Sequence, residues 1–408
     1  MLDTEKNMSA FKEGTLMELS PNVINIKYAI RDIVLLAKKV EKQGKKLYYF
    51  NIGDPDKFDF DTPDFLKQAL VEAITKDNAN YYSDSAGDPT LRNEIVKRQK
   101  RLWGTDLDPS KVLVTSGVSE AISFISASLK AGTEVLVSSP TYPPYLSYFN
   151  YHNVIPVEYN TQESENWQPD VEDIRRKISP KTQAIIIINP NNPTGAVYSQ
   201  EVVKKIADLA GEHNLLLISD EIYDLLSFEK NFRSTASITD IPVLELNGIS
   251  KTLLSPGWRL GWAVLRDENE IYSEFWEALA KQSRIRLCAS SPMQVAVSKI
   301  INKEMDYLPA VVEKLKERAD YFSKRINEMN GLSVVSPKGA FYAFPRINKD
   351  IDDRSFVLDL LKETGVLFVF GSGFGELGKG HFRSVVLPEL PVMREALDHV
   401  ESFLKAIN

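Results

Sequence analysis

The 408-residue sequence predicts an α/β protein, with a large unit built on a mostly parallel sheet flanked by helices and a smaller α+β unit after it. Three observations carry this expectation. From Lys111 onward, short β-branched runs alternate with helical segments, and the runs are continuously apolar, as strands buried on both faces are. Beyond Pro309 that rhythm gives way to strands and helices more closely mixed. A chain of this length also exceeds what one simple core accommodates, so two domains are expected. The boundaries read as an N-terminal segment 1–60 packing on the small domain, a large domain 61–305 and a small domain 306–408.

Taken in order, the elements are these. A helix is expected around Ile30 to Gln43. Val112-Leu113-Val114 reads as a strand and Val118 to Lys130 as the helix after it. Val135-Leu136-Val137 is a strand that leads into a Pro/Tyr-rich turn at Pro140 to Tyr145. Ala184 to Ile188 is a strand followed by a loop and a helix from Gln200 to His213. Leu215 to Ile218, Val243 to Leu246 and Gly261 to Leu265 complete the set of strands. In the small unit a long charged helix (Val311 to Asn330) precedes strands at Val334-Val335, Phe341 to Phe344, Val366 to Phe370 and Phe382 to Leu387. Helices are expected there near Ser355 to Glu363 and Val392 to Ile407.

Composition narrows the function classes. Apolar residues make up 43% and charged residues 26%, as in ordinary globular proteins. A net charge of −7 argues against a nucleic-acid surface, and the lysines between Lys38 and Lys46 read as solvated helix ends. The single cysteine, Cys288, excludes an internal disulfide, is compatible with a cytoplasmic setting and reads as a buried, inert thiol. The four histidines lack metal-ligand spacing, so no metal is expected. Met1 to Lys12 mixes both charges without an apolar stretch, unlike a secretory signal, and the apolar runs are strand-sized, too short to span a membrane.

The chemistry collects at strand ends. Four buried runs lead directly into small, polar or ionisable residues: Thr115-Ser116-Gly117-Val118-Ser119, Asn189-Pro190-Asn191-Asn192-Pro193-Thr194-Gly195, Ser219-Asp220-Glu221-Ile222-Tyr223, and Asn247-Gly248-Ile249-Ser250-Lys251. In an open parallel sheet the carboxyl ends of the strands line one crevice, where ligands bind. Ser116 to Ser119 open a helix whose free N–H groups suit an anion, although Ser and Gly there also serve as plain caps. Arg259 offers a forked guanidinium for a phosphate, or an ordinary surface ion pair. Asp220 closes a strand of four apolar residues and Ser219 and needs a cation, or caps a helix. Tyr142 is a stacking platform or a packed turn aromatic. Lys251, alone, is a solvated loop lysine. On a buried edge its amine would titrate below the usual value and act as nucleophile and base.

Together, Asn189 to Gly195, Ser219 to Tyr223, and Ser250-Lys251 followed by Gly257-Trp258-Arg259-Leu260-Gly261-Trp262 resemble the fold-type I, pyridoxal-phosphate-dependent aminotransferases of the alanine/aspartate branch, over nearly the whole chain. The resemblance implies the aspartate aminotransferase-like fold with a seven-stranded large-domain sheet. It implies that Lys251 holds pyridoxal 5'-phosphate as a Schiff base and that Asp220 pairs with the ring nitrogen. Asn192 and Tyr223 would hold the phenolate oxygen, with Tyr142 stacked on the ring. Gly117, Val118, Ser119, Ser250 and Arg259 would hold the phosphate. Arg383 would clamp the substrate carboxylate, with Gly53 letting the backbone approach it. Tyr82 would reach a neighbouring subunit's phosphate, so a homodimer with a shared site is implied.

The strings Tyr28 to Val34, Asn51 to Phe58, Trp167 to Asp170, Arg284 to Cys288 and Phe374 to Arg383 are similar to archaeal-type alanine aminotransferases, which exchange amino groups between alanine and 2-oxoglutarate by a ping-pong route. Arg286 would meet the distal carboxylate of glutamate, or form an ion pair. Tyr28 and Arg31 would belong to a lid. The partners are then amino acids and 2-oxo acids, not nucleic acid or membrane. Aspartate or aromatic transamination, a carbon–sulfur β-lyase on the same fold, and a regulator with a degenerate domain of this kind are the competing readings.

Overall fold

The run Ala184–Ile188 shows how the large sheet is made. Ile185 and Ile187 pack in one core with Ile206 and Leu209 of the helix Gln200–Glu212. Ile186 and Ile188, between and after them, pack in another with Ile122 and Ile125 of the helix Val118–Ser128. Side chains alternate across a strand, so an unbroken apolar run supplies both faces at once. The computed structural model describes residues 19–24, 26 and 29–407.

The large sheet holds eight strands, in chain order β1 (Val112–Thr115), β2 (Glu134–Ser139), β3 (Ile155–Gln162), β4 (Gln168–Pro169), β5 (Thr182–Ile188), β6 (Leu216–Asp220), β7 (Val243–Gly248) and β8 (Gly261–Arg266). Across the sheet they run β1-β8-β7-β6-β5-β2-β3-β4. The five central strands are parallel; β8 runs antiparallel to both its neighbours, and β4 antiparallel to β3. The register sets Ile188 beside Asp220 and Asp220 beside Leu246. The loops after β5, β6 and β7 therefore leave from one edge.

A separate core joins the chain's two ends. Ile33, Ala37 and Val40 of the helix Ala29–Lys42 pack with Phe356, Leu360, Leu397 and Val400. Tyr48–Tyr49 pairs in parallel with Val366–Leu367. Three short strands, Tyr342–Ala343, Phe382–Val385 and Val369–Phe370, form an antiparallel group that carries Arg383.

Some local expectations shift. β3, which the run-by-run reading passes over, alternates polar and apolar residues beside the two-residue edge strand β4, and its outer face is only half-buried. These two strands raise the six runs read directly to eight. The strand expected at Val334-Val335 lies at Leu332–Ser333, where it pairs with Arg346–Ile347. The Pro/Tyr-rich turn ends in a helix, Pro143–Tyr151, because its two prolines occupy the first turn, where no N–H is needed. Cys288 is half-buried rather than buried.

Candidate active site

Each strand-end loop is stiffened by its own side chains. After β5, Asn191 Oδ1 accepts from Thr194 N–H at 3.2 Å and from its hydroxyl at 2.8 Å, while Asn189 Oδ1 accepts from Tyr198 N–H at 2.9 Å. Such side-chain turns substitute for backbone pairing. After β6, Asp220 Oδ1 accepts from Ile222 N–H at 3.2 Å. After β7, a single helical turn, Ile249–Thr252, carries Lys251 and is pinned just ahead of β8 by the bond from Ile249 N–H to Leu260 O.

These loops meet the antiparallel group around a cavity of about 550 Å³. Val118, Ser119, Tyr142, Asn192, Asp220, Tyr223, Ser250, Lys251, Arg259, Gly53 and Arg383, all marked in the sequence, line it. Gly117 lies beside it: a Cβ there would fall on the Arg259 guanidinium. Among the other lining residues, Ile52, Asp54 and Tyr342 had not been singled out for a role.

The lining sorts by charge. At one end Arg259 Nη2 reaches Ser116 O at 3.3 Å, beside the first turn of the helix that begins at Val118. Exposed guanidinium and unpaired helix N–H groups make an anion seat. At the floor Asp220 is 3% exposed, and burial lifts its carboxyl to about 6 against the pull of Tyr145 and Ile222. Lys251 Nζ donates to Gly53 O at 3.0 Å. Burial lowers its pKa to about 8, with Arg383 and Arg259 acting the same way and Asp54 and Asp220 opposing. The Tyr223 and Tyr342 hydroxyls are 3.0 Å apart.

At the other end Arg383 is buried. Its Nη1 donates to Asn192 Oδ1 at 3.2 Å and its Nη2 to Asn51 O at 2.6 Å, between the rings of Tyr342 and Phe374. Its Nε has no hydrogen-bond partner among the described residues. A planar cation held this way suits a carboxylate.

Two marked residues, Arg286 and Tyr82, lie away from the cavity. Arg286 is committed to Glu120 at 2.8 Å and to the carbonyls of Ser85 and Val114, and it does not line the cavity. Tyr82 is 82% exposed, and its neighbours Ser83 and Ser85 are bonded to Ser291 and Arg286, the latter flanked by exposed Ile285 and Leu287. Tyr28 lies outside the described residues, and Arg31 is described only as part of its helix. Tyr145, read only as part of a turn, proves to touch Asp220. The double proline that starts its helix was the available signal, since it places Tyr145 one turn along from Tyr142.

The model of the aminotransferase class I and II family matches residues 45–400. Alanine aminotransferase of Mycobacterium tuberculosis (strain ATCC 25618 / H37Rv) is 35% identical over 378 residues, covering 90% of this chain and 88% of that one. Glutamate-pyruvate aminotransferase AlaA of Escherichia coli (strain K12) is 36% identical over 399 residues, 95% of this chain and 98% of its own. The solved structure of an alanine aminotransferase from Pyrococcus furiosus superposes with a TM-score of 0.93 at 47% identity, over 95% of this chain and 100% of that chain. Among the described residues no helix is long and apolar enough to cross a membrane, and no cluster of His, Cys, Asp or Glu is arranged to hold a metal.

Proposed function

Because the chain belongs to the aminotransferase class I and II family, we propose that it moves the amino group between L-alanine and 2-oxoglutarate, with pyridoxal 5'-phosphate as cofactor. The observation that carries this is the convergence, in one cavity, of an amine with a lowered pKa, a buried carboxylate that forms no salt bridge among the described residues, and two arginines at opposite ends. The alanine and glutamate–pyruvate names of the relatives support the choice of substrates. We further read the enzyme as cytoplasmic.

The residues fit the cofactor on three counts. Asp220, 3% exposed at the cavity floor with its charge disfavoured by burial, would welcome a protonated ring nitrogen. Arg259, Ser119, Val118, Ser250 and the bare backbone at Gly117 form the anion seat for its phosphate. Lys251 has the lowered basicity needed to hold a carbonyl covalently. Asn192 and Tyr223 would face the phenolate oxygen, and Tyr142 a face of the ring.

When bound, pyridoxal phosphate supplies a sink for the electron pair left as the Cα proton departs. Everything else falls to the protein. Arg383 and Asn192 hold the substrate carboxylate, with Gly53 leaving room, and so fix which Cα bond is presented. Lys251 Nζ would take up and return the Cα proton. Asp54 and Asp220 favour the ammonium form and Arg383 and Arg259 the free amine, so the group is poised for both directions. The product 2-oxo acid leaves and a second 2-oxo acid reverses the sequence.

We also propose a homodimer in which Tyr82 completes the neighbour's phosphate seat. Its exposure, with that of Ile285 and Leu287 nearby, supports this. The two segments are held together by Ser83 N–H on Ser291 Oγ and Arg286 on Ser85 O.

A spectrophotometric half-reaction screen tests the function. L-Alanine and L-glutamate should each bleach the lysine-linked cofactor band and yield pyruvate and 2-oxoglutarate. Bleaching by L-aspartate or L-tyrosine but not by L-alanine overturns the substrate assignment, and ammonia released from cystathionine overturns transamination.

A further inference from the structure

Arg98, on the helix Pro89–Trp103, does not line the cavity and is fully buried. Its Nη2 pairs with Asp224 Oδ2 at 2.9 Å and its Nε with Glu304 Oε2 at 2.7 Å. Neither carboxylate stops there. Asp224 Oδ2 also accepts from Asn247 Nδ2 at 3.0 Å, and Glu304 Oε1 accepts from Thr252 Oγ1 at 3.2 Å. Asp224 directly follows Tyr223, Thr252 directly follows Lys251, and Asn247 lies four residues before Lys251 on β7. One guanidinium thus ties the Tyr223 turn to both ends of the Lys251 turn. Gln99, next along the same helix, donates to Glu245 on β7, and Tyr307 donates to the Thr252 carbonyl.

Stability alone is a poor account of this arrangement. Apolar groups of similar volume in place of a buried ion pair are often neutral or stabilising. What Arg98 adds is direction: its Nε–H bond is aimed at Glu304 Oε2, and the same rigid plane holds its Nη2 charge against Asp224.

We propose that Arg98 is a positioning residue, whose two ion pairs set the angle of the Lys251 turn against the Tyr223 turn so that Lys251 Nζ and the Tyr223 hydroxyl face one point. The proposal rests on the reading of the cavity given above. It also makes a claim about the protein without cofactor, because the tethers are complete in the chain itself.

The test compares wild type with Arg98→Lys, which keeps the charge and loses the fork, and with Thr252→Val, which leaves the ion pairs whole and cuts one tether. In cofactor-free protein, acetylation of Lys251 is followed against pH by peptide mass. In loaded enzyme, kcat and KM for L-alanine are measured. Arg98→Lys should move the acetylation midpoint by roughly half a pH unit or more. It should lower kcat about 10- to 100-fold with KM within about twofold. Thr252→Val should move both in the same direction by less. If Arg98→Lys does not fold, Thr252→Val decides alone. A wild-type midpoint and kcat in the variants that fold would reduce Arg98 to a core ion pair and overturn the proposal. A shifted midpoint in a protein that forms no lysine-linked cofactor band would sustain the positioning of Lys251 and overturn the reading of the site instead.

Discussion

The hydroxyl of Tyr145 donates a 2.7 Å hydrogen bond to Asp220 Oδ2, with both side chains buried. Tyr145 keeps its proton, since burial and the Asp220 charge push its pKa well above the ordinary tyrosine value. The bond favours the carboxylate, which burial disfavours. A folded-state pKa raised from 3.8 to about 6 means that stability is fully present below the unfolded value and is lost as pH rises through about 6. In Tyr145→Phe that loss should deepen. Urea unfolding of the cofactor-free variant should show a deficit of about 1.5–3 kcal/mol at pH 8, shrinking toward pH 4. A deficit equal at both pH values contradicts the assignment.

Lys251 behaves in the opposite sense. Its folded pKa is depressed to about 8, so its favourable contribution is present above the unfolded value of 10.5 and is lost as pH falls through 8. Lys251→Met should therefore stabilise the cofactor-free chain at pH 7 and lose that advantage near pH 11. The same substitution should abolish the borohydride-trapped cofactor adduct and slow the alanine half-reaction at least about 100- to 10,000-fold. Turnover at the wild-type rate would falsify the mechanism.

Gly117 has φ +78°, and a methyl group there would collide with Arg259. Gly117→Ala should weaken pyridoxal phosphate binding roughly 10- to 100-fold, the scale of one or two charge-assisted bonds. Binding of pyridoxal, which lacks the phosphate, should change little. Equal losses for the two compounds would place the anion seat elsewhere.

Arg383→Lys retains the charge but not the fork. The KM for L-alanine should rise about 10-fold or more, while the absorbance of the loaded cofactor stays as in wild type. An altered spectrum with an unchanged KM would remove Arg383 from the substrate end of the cavity.

Much of this was legible because buried parallel strands write their chemistry at their ends. Ile188, Leu246 and their followers are consecutive letters, and β-pairing alone sets Asn192, Asp220 and Lys251 on one edge. The long-range meetings were not legible. Tyr342 reaches Tyr223 because Tyr342 pairs with Val385 across a short antiparallel contact, a register that no local pattern announces. Arg98 looks like one more basic residue on a charged helix, and only its zero exposure separates it from Lys97 or Lys100. Arg286 shows the reverse case, where spacing drew attention to a side chain whose bonds are already made within the subunit.

The close approach of β8 to its neighbours has a consequence for how such a protein can change. A Cβ on Gly261 would stand 2.8 Å from the Gly117 carbonyl carbon and 2.9 Å from Val118 N, so main chain rests on main chain beneath the cavity. No side chain can be added at Gly261 without moving main chain. Ile52 and Tyr342, by contrast, line the cavity from short segments outside the large sheet. Variation that redirects the enzyme toward bulkier amino acids is therefore channelled into those segments, and libraries confined to Ile52 and Tyr342 should retain cofactor loading while they sample new side-chain preferences.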